Sequence, residues 1–202
     1  MSYGLLKGKK GIIFGALNEQ SIAWKVAERC HEEGAEFILS NAPIALRMGE
    51  LNGLAEKTGS EVIGADATSI EDLEKLFDAA VAKFGKIDFI LHSIGMSINV
   101  RKGKHYTEMN YDWLEKGWDI SAVSFHKVMR VAYEKDCMNE WGSILAFLIS
   151  QRREPSLIIM ICLITKPILK ALQEHSETIG VKEKYVSIQF HNLLHLQQPA
   201  AA

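Results

Sequence analysis

Residues 11–91 alternate between short apolar runs and longer segments with helical periodicity. The apolar runs are rich in β-branched residues, as buried strands are, and cover residues 11–14, 35–40, 61–65 and 86–91. Between these runs, apolar residues recur every three or four positions in segments that begin at Ser21, Pro43 and Ser69. Alternating strands and helices predict an α/β fold in which a doubly wound parallel sheet carries helices on both faces.

The pattern continues beyond residue 91 and is then lost. After a polar loop from Ser97 to Asn110, the spacing predicts a helical region over Trp113–Met138 and a fifth strand over Gly142–Phe147. The helical region is expected to bury its apolar residues Leu114, Trp118, Ile120, Val123, Phe125, Val128, Met129 and Ala132. From Gln151 onward the sequence has a single Gly, no Asp and no Trp, and its pattern predicts no further strand and helix units.

The connection between the first strand and the first helix has the composition of a phosphate-binding turn. Gly15 ends the apolar run, and Ser21 opens the helix after a polar loop. A glycine allows close backbone approach, and a helix N-terminus favours an anion, so the turn suits a diphosphate. However, Asn18 and Ser21 stand where the glycines of the usual G-x-G-x-x-G pattern would fall. An ordinary strand-to-helix connection therefore remains an equal alternative.

Four loops follow the carboxyl ends of predicted strands, where open parallel sheets bind ligands. They are Gly15–Ser21, Ser40–Ala42, Asp66–Ala67 and Ser93–Gly95. Within them, Ser21 is a helix cap or a phosphate ligand, and one side chain can serve as both.

Two polar residues at strand ends also have more than one interpretation. Asp66 is either an acceptor for an adenine amino group or the cap of the next turn. His92 and Ser93 are adjacent on a strand and point to opposite faces, so a catalytic relay between them is not expected. We therefore interpret His92 as a core histidine with a hydrogen-bond partner.

Composition narrows the choice of partners and compartment. The 202-residue chain has a net charge of −2, which argues against a nucleic-acid partner. Cys30, Cys137 and Cys162 are widely spaced and form no C-x-x-C pair, so we expect a reducing compartment and no metal site. The apolar run Leu157 to Thr165 is shorter than the roughly 20 residues that span a bilayer. We therefore expect a cytoplasmic protein without a membrane anchor.

Four segments, residues 11–36, 46–77, 86–97 and 118–125, closely resemble the bacterial NADH-dependent enoyl-acyl-carrier-protein reductases, which belong to the short-chain dehydrogenases. The pattern G-A-x-x-x-x-S-I-A from Gly15, combined with H-S-I-G from His92, is specific to that family among dehydrogenases. The resemblance runs from residue 1 to about Ala146. It implies a Rossmann-type fold, a homotetramer, and an acyl carrier protein that presents the enoyl thioester.

The resemblance also implies which residues form the site. Three groups would contact the cofactor: Gly15, Ala16, Ser21 and Ile22 at the pyrophosphate and ribose, Asp66 and Ala67 at the adenine, and Ser93, Ile94 and Gly95 beside the nicotinamide. The acyl chain would be bordered by Gly95, Met96 and Ser97. No Arg or Lys immediately follows Ser40–Ala42 to meet a 2′-phosphate, so NADH is expected rather than NADPH.

The family's catalytic residues are where the resemblance fails. Two tyrosines and a lysine follow the fifth strand in the family, and their positions fall on Ile149, Ile159 and Lys166. One tyrosine hydroxyl donates a hydrogen bond to the thioester carbonyl, and the lysine holds the cofactor ribose. Of these catalytic positions, only Lys166 matches the family.

A shift of reading frame accounts for this break. When the codons from about Gln151 are reread in another frame, residues 169–174 and 189–201 can encode segments that match the family's continuation. We therefore interpret residues 1–148 as a dinucleotide-binding domain and residues 149–202 as an aberrant tail, with the family's C-terminal strands missing. The chain is then an enoyl reductase by descent with impaired activity. The alternatives are a catalytically inactive nucleotide-binding remnant and another short-chain dehydrogenase.

Overall fold

A computed structural model describes residues 2–47, 50–148 and the backbone of residues 191–192. The strands are β1 Lys10–Phe14, β2 Glu36–Asn41, β3 Glu61–Gly64, β4 Ile87–His92, β5 Met138–Leu148 and β6 His191–Asn192. The α-helices are α1 Ile22–Glu32, α2 Pro43–Leu46, α3 Glu50–Thr58, α4 Ile70–Phe84, α5 Ile98–Arg101, α6 Tyr111–Trp118 and α7 Ser124–Glu134.

The strands form one parallel sheet in the order β3-β2-β1-β4-β5-β6. Ile12 of β1 lies between Ile38 of β2 and Ile90 of β4. The chain moves outward from β1 to β3 and then returns to the other side of β1 with β4, so the strand order reverses between β1 and β4. In open α/β sheets this point is where ligands bind.

Successive residues of the strands pack on opposite faces of the sheet. Ile12 and Phe14 belong to a core with residues of α4 and α7, whereas Ile13 belongs to a second core with residues of α1 and α3. This alternation follows from the two-residue period of a strand. It confirms the doubly wound architecture with helices on both faces.

The start of α4 shows how the sequence sets one of these helices. The Ser69 hydroxyl accepts a hydrogen bond from the Asp72 N–H at 3.3 Å, as expected for an N-cap. The side-chain carboxylate of Asp72 accepts a further hydrogen bond from the N–H of Asp66, at 3.1 Å. This bond connects the preceding turn to the first turn of α4.

The helical region predicted over Trp113–Met138 is divided in the structure. Between α6 and α7, Asp119–Val123 form a turn of π-helix, and α7 ends at Glu134. The left-handed Asp136, with φ of 43°, then redirects the chain, so that Met138 begins β5 instead of ending a helix. Of the residues expected inside, Phe125, Val128, Met129 and Ala132 are buried, while Leu114, Trp118, Ile120 and Val123 are half-buried.

Three other details differ from the predictions. The helix expected from Pro43 to Thr58 is two helices, α2 and α3, and the loop Ser97–Asn110 contains α5 and a turn of 3₁₀-helix at Tyr106–Glu108. The third detail is a short strand, His191–Asn192, in addition to the five predicted strands. These residues pair in parallel with Phe147 and Leu148, because the outer edge of β5 offers free backbone donors and acceptors.

Candidate functional site

The first loop and the loop after β4 meet where the strand order reverses. Gly15 adopts φ of 91°, and a Cβ built on it would lie 2.0 Å from the Ser93 carbonyl oxygen. The Gly15 N–H donates to the Ser40 carbonyl at 3.0 Å, and the Ser93 N–H donates to the Phe14 carbonyl at 3.3 Å. Only glycine fits this position, because both its backbone conformation and the neighbouring carbonyl exclude a side chain.

Ser21 closes the first loop and does not cap the helix through its side chain. Its hydroxyl accepts from the Leu17 N–H at 3.1 Å and donates to the Asn18 carbonyl at 2.7 Å. Ser21 is the residue before α1, but its hydroxyl makes no hydrogen bond to the first turn. The side-chain cap, one of the two interpretations of Ser21, is therefore absent from the structure. Ala16 is buried in the same loop, and Ile22 is 38% exposed at the start of α1.

Asn41 lies in the second loop, and its side chain makes contacts that the sequence did not predict. Its side-chain amide donates to the Ala16 carbonyl at 2.8 Å, and its oxygen accepts from the Ala42 N–H at 2.8 Å. Its backbone carbonyl also accepts from the Ala65 N–H at 3.0 Å. Asn41 thus joins its own loop to the first loop and to Ala65, the residue before the third loop. The available signal was an Asn directly at a strand end, where its side chain can bond to nearby backbone.

The third loop has the turn-capping geometry that was one of its two interpretations. Asp66 Oδ1 accepts from both the backbone N–H and the hydroxyl of Thr68, at 2.9 and 2.8 Å. Asp66 is exposed and Ala67 is 6% exposed. The cap occupies Oδ1, and the exposed carboxylate can still meet an external amino group.

The segment from Ser93 to Ser97 is anchored by α5 and by the π-turn. The Ser121 hydroxyl accepts from the Met96 N–H at 2.9 Å and bonds to its carbonyl at 3.3 Å. Ser97 caps α5 by accepting from the Val100 N–H at 3.3 Å. In contrast, Gly95 is exposed, and a Cβ built on it would meet no atom within 4 Å. Gly95 therefore faces open space beside the anchored residues Met96 and Ser97.

His92 is the core histidine that the sequence predicted. It is 2% exposed, and its Nε2 lies 2.8 Å from the Ser124 hydroxyl. The same hydroxyl lies 2.7 Å from the Ile120 carbonyl, and the tautomer of the ring sets which partner donates in the bond between His92 and Ser124. Burial lowers the pKa of His92 from 6.5 to about 4. His92 contacts Ser124 and the rings of Phe14 and Phe125, and it supports the end of β4.

The protonation of His92 predicts a loss of stability in acid. The pKa of His92 is 6.5 in the unfolded chain and about 4 in the folded chain, so the unfolded chain takes up its proton at the higher pH. The contribution of neutral His92 to stability is therefore complete above pH 6.5 and is lost as the pH falls toward 4. Between pH 7 and pH 5 this amounts to about 2 kcal/mol. Urea unfolding at pH 7 and at pH 5 measures this drop in the free energy of unfolding. In His92→Gln, which retains a hydrogen-bond donor but does not titrate, the drop should be about 2 kcal/mol smaller than in the parent. Equal losses in the two proteins would contradict this assignment.

The remaining expectations concern catalysis, metals and membranes. Ile149, Ile159 and Lys166 lie outside the described residues. Within residues 2–47 and 50–148, no cluster of three His, Cys, Asp or Glu side chains could hold a metal ion. No helix in the described part of the chain is long and apolar enough to cross a membrane.

Comparison with known proteins identifies relatives of this fold and site. The family model described as Enoyl-(Acyl carrier protein) reductase matches residues 15–160. The enoyl-[acyl-carrier-protein] reductase [NADH] 1 of Rhizobium meliloti (strain 1021) is 36% identical over 143 residues, which are 70% of this chain and 52% of that protein. The chain thus spans about half the length of the curated relatives that it matches.

Two crystal structures of FabI from Alistipes finegoldii are similar in both sequence and fold. The first is 52% identical, with a TM-score of 0.85, over 95% of this chain and 74% of that one. The second, a complex with NADH, is 52% identical with a TM-score of 0.86, over 94% of this chain and 68% of that one. From the family match and these likenesses, the chain belongs to the enoyl-(acyl carrier protein) reductase family.

Proposed function

We propose that residues 1–148 form a dinucleotide-binding domain that holds NADH at the carboxyl edge of the sheet. The observation that carries this proposal is the close approach of Gly15 to Ser93 at the strand reversal, beside the open space at Gly95. The backbone of Gly15 lies against the main chain of Ser93, and no side chain caps the N-terminus of α1. Together these two features suit a pyrophosphate.

The four loops provide a place for each part of the cofactor. We assign the pyrophosphate and ribose to Gly15, Ala16, Ser21 and Ile22, the adenine to Asp66 and Ala67, and the nicotinamide to Ser93, Ile94 and Gly95. The Asn41 contact with the Ala16 carbonyl supports the first assignment, since it fixes the loop that faces the pyrophosphate. The exposed carboxylate of Asp66 supports the second.

The end of β2 favours NADH over NADPH. Asn41 uses its side-chain amide on Ala16 and is followed by Ala42 and Pro43, so no cation at these positions meets a 2′-phosphate. Calorimetric titration of the 202-residue chain should give one site that binds NADH at least tenfold more tightly than NADPH, about 1.4 kcal/mol. Absence of NADH binding would contradict the proposed function, while equal affinities would contradict only the assigned preference.

The activity that we propose by descent is reduction of trans-2-enoyl thioesters in type II fatty-acid synthesis. When bound, NADH supplies the hydride that reduces the β-carbon of the enoyl group. In this chain, Met96, held by Ser121, and Ser97, held by its cap on α5, would border the acyl chain beside Gly95. We further propose that the activity is impaired, because the family's tyrosine positions fall on Ile149 and Ile159 and leave only Lys166 as a catalytic candidate.

The partners and compartment follow from the family and are also proposals. We infer that the substrate is presented by an acyl carrier protein, that the chain forms homo-oligomers, with a tetramer as the specific expectation, and that it acts in the cytoplasm. The aberrant character of residues 149–202 remains part of the same proposal. The name of the R. meliloti relative, an enoyl-[acyl-carrier-protein] reductase, supports the substrate class.

A further inference from the structure

A lysine of α7 joins two segments that lie far apart in the sequence. Lys127 Nζ donates to the Thr68 carbonyl at 2.9 Å and to Asp119 Oδ1 at 2.7 Å. Its side chain is only 23% exposed, so both contacts are partly shielded from water. Hydrogen bonds with a charged donor in such surroundings are stronger than those at a fully exposed surface.

The first of these segments is the turn that follows β3. Within it, Asp66 accepts two hydrogen bonds from Thr68, and the Ser69 N–H donates to the Asp66 carbonyl at 2.9 Å. These bonds give the turn its shape. The contact from Lys127 to the Thr68 carbonyl connects the shaped turn to α7, which shares a core with α4.

The second segment is the π-turn that begins at Asp119. Asp119 receives the other hydrogen bond of Lys127, and two residues later Ser121 holds both backbone groups of Met96. Turns of π-helix inside α-helices are rare and occur frequently at functional sites. Here the π-turn places Asp119 toward Lys127 and Ser121 toward Met96.

We propose that Lys127 is a positioning residue for the adenine end of the cofactor site, an inference that rests on the proposed NADH site. It fixes the Asp66–Thr68 turn relative to the π-turn that anchors Met96. Loss of this lysine would free the turn that carries the assigned adenine residues. The two hydrogen bonds of Lys127 go to Thr68 and Asp119, neither of which is assigned to the cofactor.

Lys135 provides a matched control at the end of the same helix. Its side chain is 26% exposed and its Nζ lies 2.6 Å from Asp78 Oδ1. Asp78 lies within α4 and outside the four loops. Replacing either lysine by Met removes one partly exposed cation from the same region, but only Lys127→Met releases the Thr68 carbonyl.

The test is calorimetric titration of the full 202-residue chain and its variants with NADH, ADP and nicotinamide mononucleotide. Lys127→Met should weaken NADH and ADP by the same factor, about 3- to 10-fold, because the turn loses its bond to Lys127 but keeps those within it. The affinity for nicotinamide mononucleotide should be unchanged. Lys127→Arg, which keeps a charged donor, should recover the affinity for ADP to within about twofold.

A general structural role would instead reduce all three affinities together with the thermal midpoint. That result, or ADP affinity equal in Lys127→Met, Lys135→Met and the parent, would overturn the inference while leaving the NADH site intact. A parent chain that binds neither NADH nor ADP would overturn the proposed function as well, so the two failures are distinguishable.

Discussion

The 202-residue chain is expected to reduce crotonyl thioester with NADH about 10²- to 10³-fold more slowly than a protein whose reading frame is restored after Ala146. The reason is the absence of a hydroxyl donor, since Ile149 and Ile159 stand at the family's tyrosine positions. Loss of a single donor to a developing oxyanion typically costs a factor of that size. The measurement is the loss of NADH absorbance at 340 nm under saturating cofactor.

Ile159→Tyr serves as the control for this prediction. It restores one hydroxyl but leaves the rest of residues 149–202 unchanged, so it should not recover turnover. The frame-restored protein should recover turnover in one step. Comparable rates in the original and frame-restored chains would show that the catalytic positions are wrongly placed.

The sheet and its loops were predictable because their signals are local. The β-branched runs and the helical spacing between them specify strands and covering helices, and each loop is marked by Gly, Ser or Asp at a strand end. The turn at Ser69 is an example, since its cap is visible in the sequence and present in the structure.

The residues that connect these loops were not predictable from the same signals. Asn41 bonds to Ala16, and Lys127 bonds to Thr68, across 25 and 59 positions of sequence. No periodicity specifies which distant carbonyl a polar side chain reaches. The π-turn at Asp119–Val123 was missed for a related reason, because one extra residue in a helix leaves the apolar spacing nearly unchanged.

A second large effect is expected from substitution of Gly15, for which the structure gives a different reason from the one that the sequence suggested. The sequence suggested that a side chain there would block the pyrophosphate, but the structure shows that it would first meet the Ser93 carbonyl. Gly15→Val should therefore destabilise the fold by roughly 2–6 kcal/mol, the combined cost of a strained backbone and an overpacked contact. Urea unfolding measures this loss, and a stability within 1 kcal/mol of the parent would contradict the assigned contact.

Gly95→Val is the matched variant, since it adds the same side chain to the same edge of the sheet at a position where the added Cβ meets no atom within 4 Å. Gly95 is exposed, and its Cβ position is open. Its unfolding free energy should stay within about 0.5 kcal/mol of the parent, as for most surface substitutions. Any loss of cofactor binding in this variant then reflects the site and not the fold.

The most direct test of the proposed NADH site is calorimetric titration of NADH into the Gly95→Val chain and its parent. The open space at Gly95 is where we place the nicotinamide, so the valine should fill it and weaken binding at least tenfold, about 1.4 kcal/mol. Equal NADH affinity in the two proteins would contradict the location of the site.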